Sequence, residues 1–161
     1  MIILMDVSGS VAANASSYQR LLRGADEALK LLKPGDEIAL MQFAERPDLI
    51  QGFTRDRNLI LSALGRLDGR GQYGTHVDEG ILGAATYMHT AANPDSRRAI
   101  ITVTDDVTVA IKDRAYVAPT TIAEGQALRE LYESGSVVSH SCMRAARIGL
   151  SARRRFKLPN R

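Results

Sequence analysis

Tryptophan is absent from this 161-residue chain, and aromatic residues make up only 5% of it. The core is therefore expected to be built from Leu, Ile, Val, Ala and Met rather than from large rings. The single cysteine, Cys142, excludes an internal disulfide and has no recognisable activating neighbour, so it reads as inert. No apolar run approaches the roughly 20 residues that a bilayer-spanning helix needs. The opening Met1-Ile2-Ile3-Leu4-Met5 is too short for a signal peptide and lacks a basic flank. It reads as a strand. These absences describe a soluble domain and leave its compartment open.

What is present is ordinary for one globular domain: 45% hydrophobic and 24% charged residues. The net charge of +3 is unevenly spread. From Ser141 to Arg161 there are seven basic residues and no acidic one, whereas the first 140 residues hold 14 basic and 18 acidic, a net of −4. We expect a domain over residues 1–141 and a basic segment over 142–161, read as a solvated end or a truncated remainder. Apart from Phe156 the segment has no interleaved aromatics, so nucleic acid or anionic membrane is not the expected contact.

Apolar runs at 2–5, 38–43 and 99–104 have the continuous character of strands buried on both faces. Leu49 to Phe53 reads as a short edge strand after Pro47, and Val137 to Ser141 as a last, weaker one. Between them lie helical spacings. Tyr18, Leu21, Leu22, Ala25, Leu29 and Leu32 predict a helix to about Leu32, stopped by Pro34-Gly35-Asp36. Asp56 is placed to cap a helix carrying Leu59, Ile60, Ala63 and Leu64. Val77, Ile81, Ala84, Ala85 and Met88 mark a third, and Ala127, Leu128, Leu131 and Tyr132 a fourth, ended by Gly135. Strands alternating with helices predict an α/β fold: a doubly wound, mainly parallel, Rossmann-like sheet with helices on both faces.

Asp6, Ser8 and Ser10 occupy alternate positions after the first strand, and Asp105 ends the strand of residues 99–104. Ligands in open α/β sheets collect outside the carboxyl ends of strands where strand order reverses. If those two strands are neighbours there, the carboxylates and hydroxyls face one crevice. Gly9 lets the turn tighten between the serines.

Asp6-Val7-Ser8-Gly9-Ser10 resembles the Asp-x-Ser-x-Ser signature of von Willebrand factor type A domains. Gly74-Thr75 is similar to their Gly-Thr loop, Thr102-Val103-Thr104-Asp105 to their apolar strand ending in Thr-Asp, and Lys33 to Leu40 with Phe43 to their second-strand entry. The similarity spans roughly residues 2 to 141. It implies a metal-ion-dependent adhesion site, with Ser8, Ser10 and Thr75 coordinating magnesium directly and Asp6 and Asp105 acting largely through water. One coordination position stays open for a carboxylate on a protein partner. All five groups are hard oxygen donors, as magnesium prefers, and manganese or calcium fit the same set. Gly9, Gly74, His76 and Asp106 are placed around that ligand position. Asp106 departs from the family's usual glycine. The chain is also expected to lack the family's last strand and helix, as a domain taken from a longer protein. An Arg-to-Lys ratio of 17 to 4 points to a high-GC genome and so to a bacterial member.

The expected function is adhesion or complex assembly without turnover, and no small-molecule substrate is expected. The alternative is a metal-dependent hydrolase or phosphatase using Asp6 or Ser8. Against it, aspartate-nucleophile phosphatases carry a second Asp two residues on, where this chain has Ser8. The Gly-x-Ser-x-Gly elbow is missing. His76 is read as an exposed loop residue, and neither His89 nor His140 shows partner spacing.

Overall fold

In the computed structural model, which describes residues 1–12, 15–30, 32–68, 74–104 and 121–142, the first apolar run forms β1 (Ile2–Asp6) with all five residues buried. A short helix, α1 (Gly9–Ala12), follows where a plain turn was expected. The long amphipathic helix α2 (Ala15–Lys30) precedes the Pro34-Gly35 turn. Gly35 takes φ +105, a backbone region that costs glycine little. Then come β2 (Ile38–Phe43), β3 (Pro47–Thr54) and α3 (Arg57–Leu64). Asp56 caps α3 as expected, its Oδ1 accepting the Asn58 backbone N–H at 2.8 Å. The series ends with α4 (Val77–Ala91), β4 (Arg98–Thr104), α5 (Thr121–Glu133) and β5 (Ser136–Cys142).

Two expectations are corrected. The edge strand is longer than Leu49–Phe53 and starts at Pro47 itself. It pairs antiparallel with β2 at the margin of the sheet, where a missing N–H is tolerated. The core also contains a ring: Phe43 is fully buried, among the largest side chains so placed.

The five strands run in the order β3-β2-β1-β4-β5, with β1 parallel to both β2 and β4, and β4 parallel to β5. The chain winds outward from β1 to β2 and β3, then returns to the other side of β1. Strand order therefore reverses between β1 and β4, and the carboxyl ends of those strands flank the crevice.

Each strand sends alternate residues to opposite faces. On one face Ile3, Met5, Ile38 and Leu40 pack with Leu21, Ala25 and Leu29 of α2 and Ile60 and Ala63 of α3. On the other, Ile2, Leu4, Ala39, Met41, Phe43 and Ile100 pack with Ala84, Ala85 and Met88 of α4, and Leu131 of α5 joins them. Burying each large aliphatic side chain stabilises the fold by about 1.5–3 kcal/mol.

Thr102 is the exception in this layer. It is fully buried in β4, and among the described residues its hydroxyl has no hydrogen-bond partner. An unsatisfied buried hydroxyl costs free energy that a methyl of similar shape does not. Thr102→Val should therefore raise stability by about 1 kcal/mol, or roughly 2–4 °C in Tm. Thermal unfolding checks it; a lower Tm would show that the hydroxyl is satisfied.

Candidate metal-binding site at the carboxyl edge of the sheet

Asp6 closes β1 with no solvent exposure, and Ser8 is 1% exposed. Counting by twos from Ile2 and Leu4, Asp6 points to the face covered by α4. The parallel register pairs Met5 with Val103, so Asp6 comes level with Thr104. Both Asp6 oxygens are engaged. Oδ1 accepts the Ser8 backbone N–H at 2.9 Å, and Oδ2 accepts the Thr104 hydroxyl. The first is the local turn that an aspartate makes with the backbone two residues on. The second spans the topological switch. Val11 N–H then donates to the Ser8 carbonyl at 3.0 Å as α1 begins at Gly9.

Thr75 approaches from the β2 side. The His76 N–H donates to the Ala44 carbonyl at 2.8 Å, and Ala44 follows Phe43, the residue paired with Asp6. The Val7 N–H donates to the Phe43 carbonyl at 2.9 Å, which extends that pairing past the strand end. Thr75 and Gly74, both half-buried, thus lie on the same edge as Asp6, about one strand spacing, or roughly 5 Å, to the side in the direction of β2. Close approaches hold this corner. A Cβ on Gly74 would meet Glu45 Cγ at 2.9 Å and His76 Nε2 at 3.1 Å. One on Gly80 would meet the Phe43 ring at 2.8 Å, so the first turn of α4 sits directly on β2.

Asp6, Ser8 and Thr75 thus lie at one edge of the sheet. Ser10 lies in α1, but its side chain is outside what the structure describes. Asp105 and Asp106 also lie outside the described residues. Their predecessor Thr104 ends β4 buried, with its hydroxyl donating to Asp6. His76 is exposed at the start of α4 with no side-chain capping bond, as a loop histidine should be.

Sequence reasoning missed two things here. Thr104 holds Asp6, and the signal was its two-residue spacing from Ile100 and Thr102 on the strand. His89 was read as having no partner, yet its Nδ1 lies 3.4 Å from Glu130 Oε2 on α5. The two residues are 41 apart in sequence, so no local period could show the contact.

The donor set suits a hard divalent cation. It consists of carboxylate and hydroxyl oxygens without His or Cys, with Asp6, Ser8 and Thr104 buried at the strand ends. Asp6, with each oxygen already accepting one hydrogen bond, fits a role at water distance from an ion rather than direct coordination.

The chain is similar in structure to proximal thread matrix protein 1 from the mussel byssus, in a form with a zinc-occupied metal-ion-dependent adhesion motif. That match has 18% identity and a TM-score of 0.66, and covers 86% of this chain and 36% of that one. It is similar to a von Willebrand factor type A protein from Catenulispora acidiphila, with 18% identity and a TM-score of 0.68, over 86% of this chain and 32% of that one. It also resembles BatB from Bacteroides thetaiotaomicron, with 22% identity and a TM-score of 0.65, over 86% of this chain and 63% of that one. The chain spans less than two thirds of the length of each. These likenesses show the fold. No curated protein matches in sequence. A family model for the von Willebrand factor type A domain matches residues 1–107, well over half of the chain. With that match and the strand order and edge geometry described above, the chain belongs to the von Willebrand factor type A domain family.

Proposed function

We propose that this domain is a divalent-metal-dependent protein-binding module. It holds Mg2+ at the carboxyl edge of the sheet and binds an acidic side chain of a partner there. Ser8, Ser10 and Thr75 are the direct ligands, and Asp6 and Asp105 act through water. The observation that carries this reading is the buried Asp6 carboxylate at the β1–β4 switch, tied by one oxygen to Ser8 and by the other to Thr104. Neutral direct ligands leave the ion electrophilic, so an external carboxylate completes the coordination. Gly9, Gly74, His76 and Asp106 border that position.

The zinc-occupied motif of the byssus protein supports a divalent ion in this family, and Mn2+ or Ca2+ suit the same oxygen set. Domains of this family are mostly interaction modules rather than enzymes. A buried carboxylate already accepting two hydrogen bonds suits holding better than nucleophilic attack.

Titration calorimetry with MgCl2 and MnCl2 tests the reading. The intact chain should bind at millimolar ion or below, and Thr75→Ala should weaken binding by about tenfold or more. Absence of binding to both ions overturns the proposal.

A further inference from the structure

On the far edge of the sheet, α4 and α5 bring together three donors that the proposed function does not use. His89 lies in the last turn of α4, and Glu130 and Glu133 stand three apart in the last turn of α5, on one face of that helix. One donor atom from each of the three lies within 4.8 Å of the others. We propose that His89, Glu130 and Glu133 form a second metal site, for a borderline divalent ion of the zinc type, that clips α4 to α5.

The chemistry differs from that of the first edge. Imidazole nitrogen with two carboxylates suits Zn2+, at about 2.0–2.1 Å to nitrogen and 2.0–2.2 Å to oxygen, with water completing a tetrahedron. Magnesium prefers oxygen alone. Two carboxylates and a neutral imidazole would also leave the bound ion without excess charge. A His–Glu contact alone would be an ordinary and weak surface ion pair. Glu133 is what distinguishes the cluster, because it brings a third donor atom within 4.8 Å of the other two.

The donors are accessible and their supports are fixed. The side chains of His89 and Glu130 are 48% and 28% exposed, so an ion reaches them and they can rotate inward to bonding distance. Their backbones are anchored. Leu131 packs into the α4-side core, and Arg98 at the start of β4 donates to the Ser134 carbonyl at 2.9 Å. Gly135, at φ +62, ends the α5 segment in a left-handed turn. The site is also remote from Asp6. His76 and His89 are about 20 Å apart along α4 at a rise of about 1.5 Å per residue.

Cobalt(II) titration followed by visible ligand-field absorption tests this. A low-coordinate cobalt site with a nitrogen ligand absorbs far more strongly than an octahedral all-oxygen one. The intact chain should develop the strong band with 1:1 saturation, and zinc should abolish it. The band should persist in Asp6→Asn and be lost in His89→Ala and in Glu133→Gln, each checked for an unchanged circular dichroism spectrum. In the Asp6→Asn background, zinc at about 100-fold over its Kd should raise Tm by roughly 5–10 °C, and His89→Ala should remove that rise. Absence of the strong band, or an equal band in His89→Ala, overturns the site and leaves the proposal for the opposite edge untouched.

Discussion

Asp6→Asn should weaken magnesium affinity by about 10- to 100-fold while the domain stays folded, the range observed when partners outside the direct ligand shell are changed. The asparagine carbonyl oxygen can still accept the Ser8 N–H. Its amide can donate to the Thr104 oxygen once that hydroxyl rotates. Sterics and hydrogen-bond count are therefore retained, and the charge is what disappears. Asp6→Ala is a harsher test. It would leave the Ser8 N–H and the Thr104 hydroxyl without their present acceptor, at about 1–3 kcal/mol for each group that stays buried and unsatisfied. Calorimetry with magnesium, run beside thermal unfolding without metal, separates the charge effect from the folding effect. An Asp6→Asn domain that binds magnesium as tightly as the parent would exclude Asp6 from the site.

Phe43→Ala should be the most destabilising single change in the described core, at about 3–5 kcal/mol. The ring is fully buried and lies against the Cα of Gly80, so its loss opens a cavity between β2 and the first turn of α4. The backbone of the same residue receives the Val7 N–H, and its pairing partner is Asp6. Loosening here should therefore reach metal affinity as well as stability. Urea unfolding gives the stability change, and calorimetry in the same buffer gives the affinity. A loss under about 1 kcal/mol would mean that α4 collapses onto the strand and fills the space.

The parts of the fold legible in the sequence were those set by local pattern. Buried parallel strands announce themselves as unbroken apolar runs, so β1, β2 and β4 were readable from residues 2–5, 38–43 and 99–104. The alternate spacing of Asp6, Ser8 and Ser10 after an apolar run was likewise readable, and Asp6 and Ser8 are buried at the carboxyl end of β1. Less readable were features created by packing between distant segments. Pro47 opens β3 because the strand lies at an antiparallel edge and because Gly83 of α4 has no side chain to displace the ring. A Cβ there would come within 2.4 Å of Pro47 Cγ. Phe43 belongs to the core because Gly80 makes room for it, which composition alone does not reveal. The Asp6–Thr104 bond required knowing that β4 returns beside β1. The His89–Glu130 contact required knowing that α4 and α5 pack side by side. In each case the deciding neighbour comes from another element of the fold.

The bond from the Thr104 hydroxyl to Asp6 joins residues 98 apart in the chain. Contacts of such long separation form late in folding, because closing a long loop costs entropy before it gains any contact energy. The segment around Asp6, Ser8 and Ser10 therefore cannot act as a metal trap in a nascent or partly folded chain, since β4 has yet to arrive. A divalent ion that selects the finished edge adds its binding energy to the native state alone and slows unfolding rather than hastening folding. In a refolding experiment magnesium should thus change the unfolding limb of the chevron and leave the folding limb nearly unmoved.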